Sequence, residues 1–137
     1  MVAHARATYP NECCGAMLGT TDGEKKIVVE SIQLRNAFEG AQAARYELRP
    51  EDLLAADKAA RERSMDLIGI YHSHPDHPSR ASQTDTDRAV EIMAYAWSYI
   101  IVSVQKGKVA SAQSWMLSET DNRFHEESLV TEEGDSK

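Results

Sequence analysis

Along this chain the spacing of apolar residues switches between two periods, and the switches divide it into strands and helices. Alternating or β-branched apolar runs fall at Gly15 to Thr20, Lys25 to Leu34, Asp66 to His72, Tyr99 to Gln105, Val109 to Leu117 and Arg123 to Val130, and each predicts a strand. Turn signals at Asp22-Gly23, inside Thr21 to Glu24, and at Lys106-Gly107-Lys108 predict two hairpins. Asn36 to Arg45 reads as a polar loop containing Ala and Gly, followed by a short strand at Tyr46 to Leu48. Helical spacing takes over at Leu53, Leu54, Asp57, Ala60 and Arg61. Pro50 opens this helix, Glu51 and Asp52 lie near its positive end, and it is expected to stop near Ser64. Thr84 to Trp97 predicts a second amphipathic helix. Val2 to Thr8 reads as the end of a helix closed by Tyr9-Pro10-Asn11. Strands interleaved with helices indicate an α/β or α+β fold, with a central sheet, Asp66 to His72 in its middle, and helices on its faces.

The length of 137 residues suits one domain, expected over residues 1–130 and followed by a disordered acidic tail at 131–137. A net charge of −7 with no basic cluster argues against nucleic acid or an anionic membrane as partner. The most apolar stretch, Ala89 to Val104, is interrupted by Glu91 and falls short of the ~20 residues that cross a bilayer. Met1 to Ala7 lacks the apolar core and cleavage pattern of a secretory signal. The two cysteines, Cys13 and Cys14, are adjacent, which excludes a disulfide framework and strains a bridge between them. A cytoplasmic protein is the expectation, with both cysteines packed in a strand. Trp97, Trp115 and Tyr71 are expected in the core or at the rim of a groove.

The chemistry concentrates between Tyr71 and Asp85. His72 and His74 are separated by one residue at a strand's end, so their side chains project from the same face and both imidazoles can reach one ion. Pro75 ends the strand behind them, at the C-terminal edge where α/β sites lie. Asp85, a short loop later, supplies a carboxylate. Three protein ligands with an open fourth position make a catalytic zinc site. Two other readings stand beside this one. Ser82-x-x-Asp85 before a helical run is also a capping box, which would fix the carboxylate near a helix N-terminus. And His72-Ser73-His74-Pro75-Asp76-His77 fits H-x-H-x-D-H, the signature of metallo-β-lactamase-type hydrolases, in which His72, His74, Asp76 and His77 would serve two metals. The chain's only later histidine is His125, in an expected edge strand.

An upstream segment decides between the metal readings. Glu12 in Pro10-Asn11-Glu12-Cys13-Cys14-Gly15, followed by Leu18-Gly19, joined to His72-x-His74-Pro75, seven residues, then Ser82-x-x-Asp85, resembles the JAMM (MPN+) zinc metalloprotease family over nearly the whole chain. The resemblance implies the JAMM/MPN, cytidine-deaminase-like architecture. The chain departs from it by lacking the strand and most of the helix that usually precede the Glu segment. It also implies that His72, His74 and Asp85 bind one Zn2+ per chain with a water as fourth ligand. Glu12 then acts as general base, and Ser82 donates a hydrogen bond to the oxyanion. The implied reaction is hydrolysis of the bond after the C-terminal Gly-Gly of a ubiquitin-like protein, and the small stand-alone form is similar to bacterial members that process ubiquitin-like sulfur carriers. A deubiquitinase-like isopeptidase and a non-catalytic MPN-type scaffold that binds a ubiquitin-like partner are the competing functions. Scaffold members lack part of the residue set, whereas all five residues are present here. The oligomeric state, the carrier and the residue after its Gly-Gly are not specified by the sequence.

Overall fold

The structure, a computed structural model, describes residues 1–130, so the acidic tail expected at 131–137 lies outside the described residues. A short helix, α1 (Val2–Thr8), precedes the hairpin of β1 (Cys14–Asp22) and β2 (Lys25–Leu34). After a long loop come α2 (Pro50–Glu62), β3 (Asp66–Pro75), α3 (Gln83–Glu91), β4 (Ser98–Gln105), β5 (Lys108–Leu117) and β6 (Phe124–Glu127). The six strands form one sheet in the order β2-β1-β3-β4-β5-β6. Only β3 and β4 pair in parallel, and the helix α3 makes the crossover that a parallel pair requires. The sheet is therefore mixed, with β3 in its interior, as the sequence predicts. No helix among the described residues is long and apolar enough to cross a membrane.

Each face of the sheet buries its own cluster. On one side Ala5 of α1 meets Cys13, Met17, Ile68, Tyr71, Ile100, Val102 and Val104. On the other, Ile70, Ala89, Ala94, Tyr99 and Leu117 pack with Leu53 of α2 and Trp97, Trp115 and Phe124. A bulge decides which β3 residues go where. Met17 of β1 pairs with Gly69 but the next residue, Leu18, pairs with Leu67, so Ile68 is the extra residue and the alternation resets there. Beyond the bulge, Ile70, His72 and His74 share the α2/α3 face, while Tyr71 and Ser73 turn toward α1. Gly15, opposite Tyr71, has no room for a side chain: a Cβ would sit 2.1 Å from the Tyr71 ring. That close approach lets the Tyr71 hydroxyl reach His4 Nδ1 of α1 at 2.8 Å.

Several boundaries and one expected strand differ from the sequence reading, each for a local reason. The second amphipathic helix stops at Glu91 instead of Trp97. Met93 adopts φ 53°, and the amides of Ala94 and Met93 bond back to the carbonyls of Ala89 and Val90, a Schellman ending made without glycine. β3 continues through Pro75, which ends the strand from within it, and β1 continues through Asp22, leaving a two-residue turn at Gly23 (φ 64°) and Glu24. Tyr46 to Leu48 is not a strand: its backbone runs along the loop, where the Glu47 amide bonds Asn36 Oδ1 and the Glu47 carbonyl accepts from the Ala37 amide. The last strand is cut to Phe124–Glu127, where pairing with β5 runs out.

Candidate metal centre

The site is built where β1, β3 and the start of α3 meet. His72 and His74 lie two apart on β3, and both are buried. Their Nε2 atoms are 3.1 Å from each other, and Asp85 Oδ2 lies 3.3 Å from His72 Nε2 and 3.0 Å from His74 Nε2. Among the described residues these three form the one group of His, Cys, Asp and Glu side chains whose donor atoms converge as metal ligands do. A tetrahedral ion with bonds of about 2.0–2.1 Å holds its donors about 3.3 Å apart, close to the spacing observed.

The hydrogen bonds indicate what that space requires. His74 Nδ1 is 2.8 Å from the Pro78 carbonyl oxygen, an acceptor only, so Nδ1 carries the proton and a neutral ring turns its Nε2 lone pair toward Asp85. Asp85 Oδ2 is itself an acceptor and already receives the Ser82 amide at 2.9 Å. Lone pairs facing one another at 3 Å are repulsive unless a cation sits among them. Without an ion that cation is a proton: burial disfavours charge on His74, but the hydrogen bond and charge of Asp85 prevail and raise its pKa. Asp85 responds in the opposite sense. Burial would raise its pKa, yet the His72 and His74 rings and the Ser82 amide hold it well below the usual carboxylate range. The residues present thus fit a divalent metal.

Asp85 owes its orientation to the helix start. Ser82 is the N-cap of α3: its Oγ accepts from the Asp85 amide at 3.1 Å while the Asp85 carboxylate accepts from the Ser82 amide. One carboxylate therefore completes the capping box and stands with His72 and His74 where an ion could be held. Ser82 is exposed, and with its oxygen accepting from Asp85 its hydroxyl proton is left to donate outward.

Glu12 arrives from the segment that leads into β1. Cys14 pairs with His72 across the β1/β3 ladder, so two residues earlier Glu12 stands on the His74 side of the same face. Its carboxyl is 6% exposed and Oε1 has no hydrogen-bond partner. Burial pushes its pKa up to about 8, His74 pulling it down and Asp85 adding to the rise. A buried carboxyl with an idle oxygen costs stability, the kind of site retained for work on a bound group.

Sequence reasoning missed what holds Glu12 and shields His72. The Glu12 amide donates to the Gln42 carbonyl at 2.7 Å, and its carbonyl accepts from Asn36 Nδ2 at 3.1 Å, so the loop of residues 36–48 grips it on both sides. Asn36 organises that loop, its Oδ1 receiving the Phe38 and Glu47 amides. Tyr46 from the same loop stacks on His72, ring centroids 4.4 Å apart and planes at 26°. Two aromatic residues, Phe38 and Tyr46, in a largely polar loop were the available signal.

Asp76 and His77 are not in the cluster, and the dinuclear pattern of the metallo-β-lactamase type is not formed. Asp76 turns away with φ 59°, exposed, and its oxygens accept from the Tyr9 hydroxyl at 2.7 Å and the Lys106 amide at 2.7 Å. His77 is exposed, and its carbonyl accepts from Ser103 Oγ. His125 lies on the edge strand against Asp121. Cys13 and Cys14 are free thiols buried in β1 and the residue before it. Tyr71 is core, while Trp97 and Trp115 are half-buried on the α2/α3 face.

A mixed sheet carrying a His-x-His pair on its one parallel edge, closed by a capping aspartate, defines a class that comparison makes explicit. Residues 1–118 match the family described as prokaryotic homologs of the JAB domain, and the chain belongs to that family. Among its relatives is a desampylase of Haloferax volcanii, 28% identical over 137 residues, covering 96% of this chain and 89% of that protein. Another is a CysO-cysteine peptidase of Mycobacterium tuberculosis, 30% identical over 105 residues, covering 77% and 67%. A protein from Salinibacter ruber with a solution structure superposes with TM-score 0.70 at 37% identity, over 98% of this chain and 86% of that one. For the fold alone, a JAB1/MPN domain protein of Archaeoglobus fulgidus aligns at TM-score 0.55 and 19% identity, over 93% and 86%. The fold implied by the JAMM/MPN resemblance is the fold observed.

Proposed function

We propose that this protein is a zinc-dependent peptidase or isopeptidase that cuts the bond after the C-terminal Gly-Gly of a ubiquitin-like protein of the sulfur-carrier kind. The observation that carries the reading is the meeting of His72 Nε2, His74 Nε2 and Asp85 Oδ2 within 3.3 Å, on the face where Glu12 presents an unpaired buried oxygen. The relatives named desampylase and CysO-cysteine peptidase support hydrolysis of an amide joined to a protein.

His72, His74 and Asp85 hold the ion. Zinc in that place would polarise the scissile carbonyl and make water acidic enough to attack near neutral pH. Glu12 Oε1 takes the proton as the water oxygen bonds to the carbonyl carbon, and returns it to the leaving nitrogen as the C–N bond breaks. Ser82, its oxygen engaged by Asp85, donates its hydroxyl proton to the negative charge that grows on the carbonyl oxygen. The Pro78 carbonyl fixes the His74 tautomer, and Tyr46 covers His72 from water. No side chain has to form a covalent intermediate. A diglycine tail lacks side chains and so fits a narrow groove in extended form.

The test is mass spectrometry of zinc-loaded protein incubated with sulfur carriers bearing short C-terminal extensions. Products ending in Gly-Gly, lost in Glu12→Gln and in His74→Ala, are expected. Intact carriers alongside cleaved ubiquitin chains would make the protein a deubiquitinase. Binding without any cleavage would make it a scaffold.

A further inference from the structure

Beside the metal centre, on the flank of Ser82, lies a pocket of about 500 Å³ whose walls include Arg80, Gln83, Thr86, Trp115, Arg123 and Phe124. It is the size of a small-ligand site and far too small for a folded domain. The loop that carries Arg80 is fixed: the Trp115 indole N–H donates to the Ser79 carbonyl at 3.0 Å, and the buried Ser79 hydroxyl bonds Ser111 and Gln113. Neither Arg80 nor Arg123 has a carboxylate within 4.0 Å among the described residues, although the chain carries 22 acidic residues against 15 basic ones. Asp121, in the same wall, is engaged elsewhere, its oxygens on the Arg123 amide and on His125 Nε2. Arg80 and Arg123 thus line a shared cavity with no carboxylate in ion-pair contact, Asp121 acting on Arg123 only from a longer range, and Trp115 and Phe124 add an apolar wall next to them.

We infer that this pocket receives the leaving part of the substrate and reads its free α-carboxylate through Arg80 and Arg123, so that the enzyme removes a C-terminal amino acid or short peptide. The inference rests on the cleavage reading above and narrows it. The placement suits the chemistry, because Arg80 and Gln83 flank Ser82, at which the scissile carbonyl is held. A linear extension of one or two residues carries a carboxylate within a few bonds of the leaving nitrogen. An isopeptide-linked lysine brings a long aliphatic stem and no carboxylate nearby. Arginine's planar fork matches a carboxylate in bidentate fashion, which gives the pocket its selectivity.

The experiment compares a sulfur-carrier protein extended by Ala-Ala after its Gly-Gly, made once as the free acid and once as the C-terminal amide. The zinc-loaded protein is expected to favour the acid by about ten- to hundredfold in kcat/KM, mostly through KM, as one charge-assisted contact warrants. In the Arg80→Gln/Arg123→Gln double variant that ratio should fall to within about threefold. Tryptophan fluorescence titration of Glu12→Gln protein with the same two substrates should show the same preference in binding. Equal handling of acid and amide by the unsubstituted protein, or a ratio the double variant leaves intact, overturns the inference while the cleavage reading survives. If neither substrate is cut, the cleavage reading fails, and the binding comparison still decides whether the pocket reads carboxylate.

Discussion

At the scale of single residues, Glu12 is the group whose surroundings say most about it. The unfolded chain releases this proton near its ordinary value of 4.5, whereas burial keeps it on the folded protein up to about 8. Between those values the folded state binds more protons than the unfolded one, so stability falls as pH rises from about 4.5 to about 8. Glu12→Gln removes the ionisation cost. In ion-free protein the variant should therefore be the more stable, by about 4 kcal/mol near pH 8 and by about 1 kcal/mol at pH 5, as urea denaturation at the two pH values will read. Parallel pH profiles for the two proteins would show that Glu12 is not buried as described. With a dication beside it the carboxylate form is favoured, and the same substitution should abolish turnover.

Elements place those residues, and their ends matter more than their interiors. Ser82 starts α3 and orients Asp85 through reciprocal hydrogen bonds, so Ser82→Ala should lower stability by about 1 kcal/mol, as loss of an N-cap does. Its loss in kcat should be larger, about a hundredfold, because an oxyanion donor disappears with the cap. A stability loss without a kcat loss in the same variant would leave Ser82 a cap only. At the other end of α3, Met93 holds φ 53° while 73% exposed. Met93→Gly should stabilise by about 0.5–1 kcal/mol, since glycine adopts this conformation without a Cβ clash and no buried surface is lost. That ending was not legible in the sequence. The apolar spacing runs on past Glu91 through Ile92, Tyr95 and Trp97, and nothing in a methionine announces a left-handed residue. Tyr95 and Trp97 still pack on the sheet's core, from the connection that follows the helix, while Ile92 is exposed.

For the molecule as a whole, an ion held by β3 and α3 would tie the central strand to its crossover helix. It binds the folded state alone, so zinc at a hundredfold excess over its dissociation constant should add about 2.7 kcal/mol and raise Tm by about 10 °C. Chelation should reverse the shift, and Asp85→Asn should nearly erase it. Native mass spectrometry should count one zinc per chain. A second equivalent bound with equal affinity would contradict the exposed, outward-turned positions of Asp76 and His77.

The order of strands and helices, apart from the strand expected at Tyr46 to Leu48, could be read from the chain alone, as could the two tight turns and the residues able to meet at one ion, because periodicity, turn chemistry and ligand type are local properties. That Asp85 closes a capping box was legible too, since the box is written in four consecutive residues. Tertiary folding alone brings Glu12 to the side of His74, sixty-two residues away, because strand pairing between β1 and β3 is a long-range register. It also decided which side of the sheet the histidines face, through a bulge at Ile68 that local alternation does not reveal. The loop of residues 36–48 was the least legible part. It forms no regular element, and its purpose, to hold Glu12 by the backbone and lay Tyr46 on His72, exists only once the sheet has brought those two residues together.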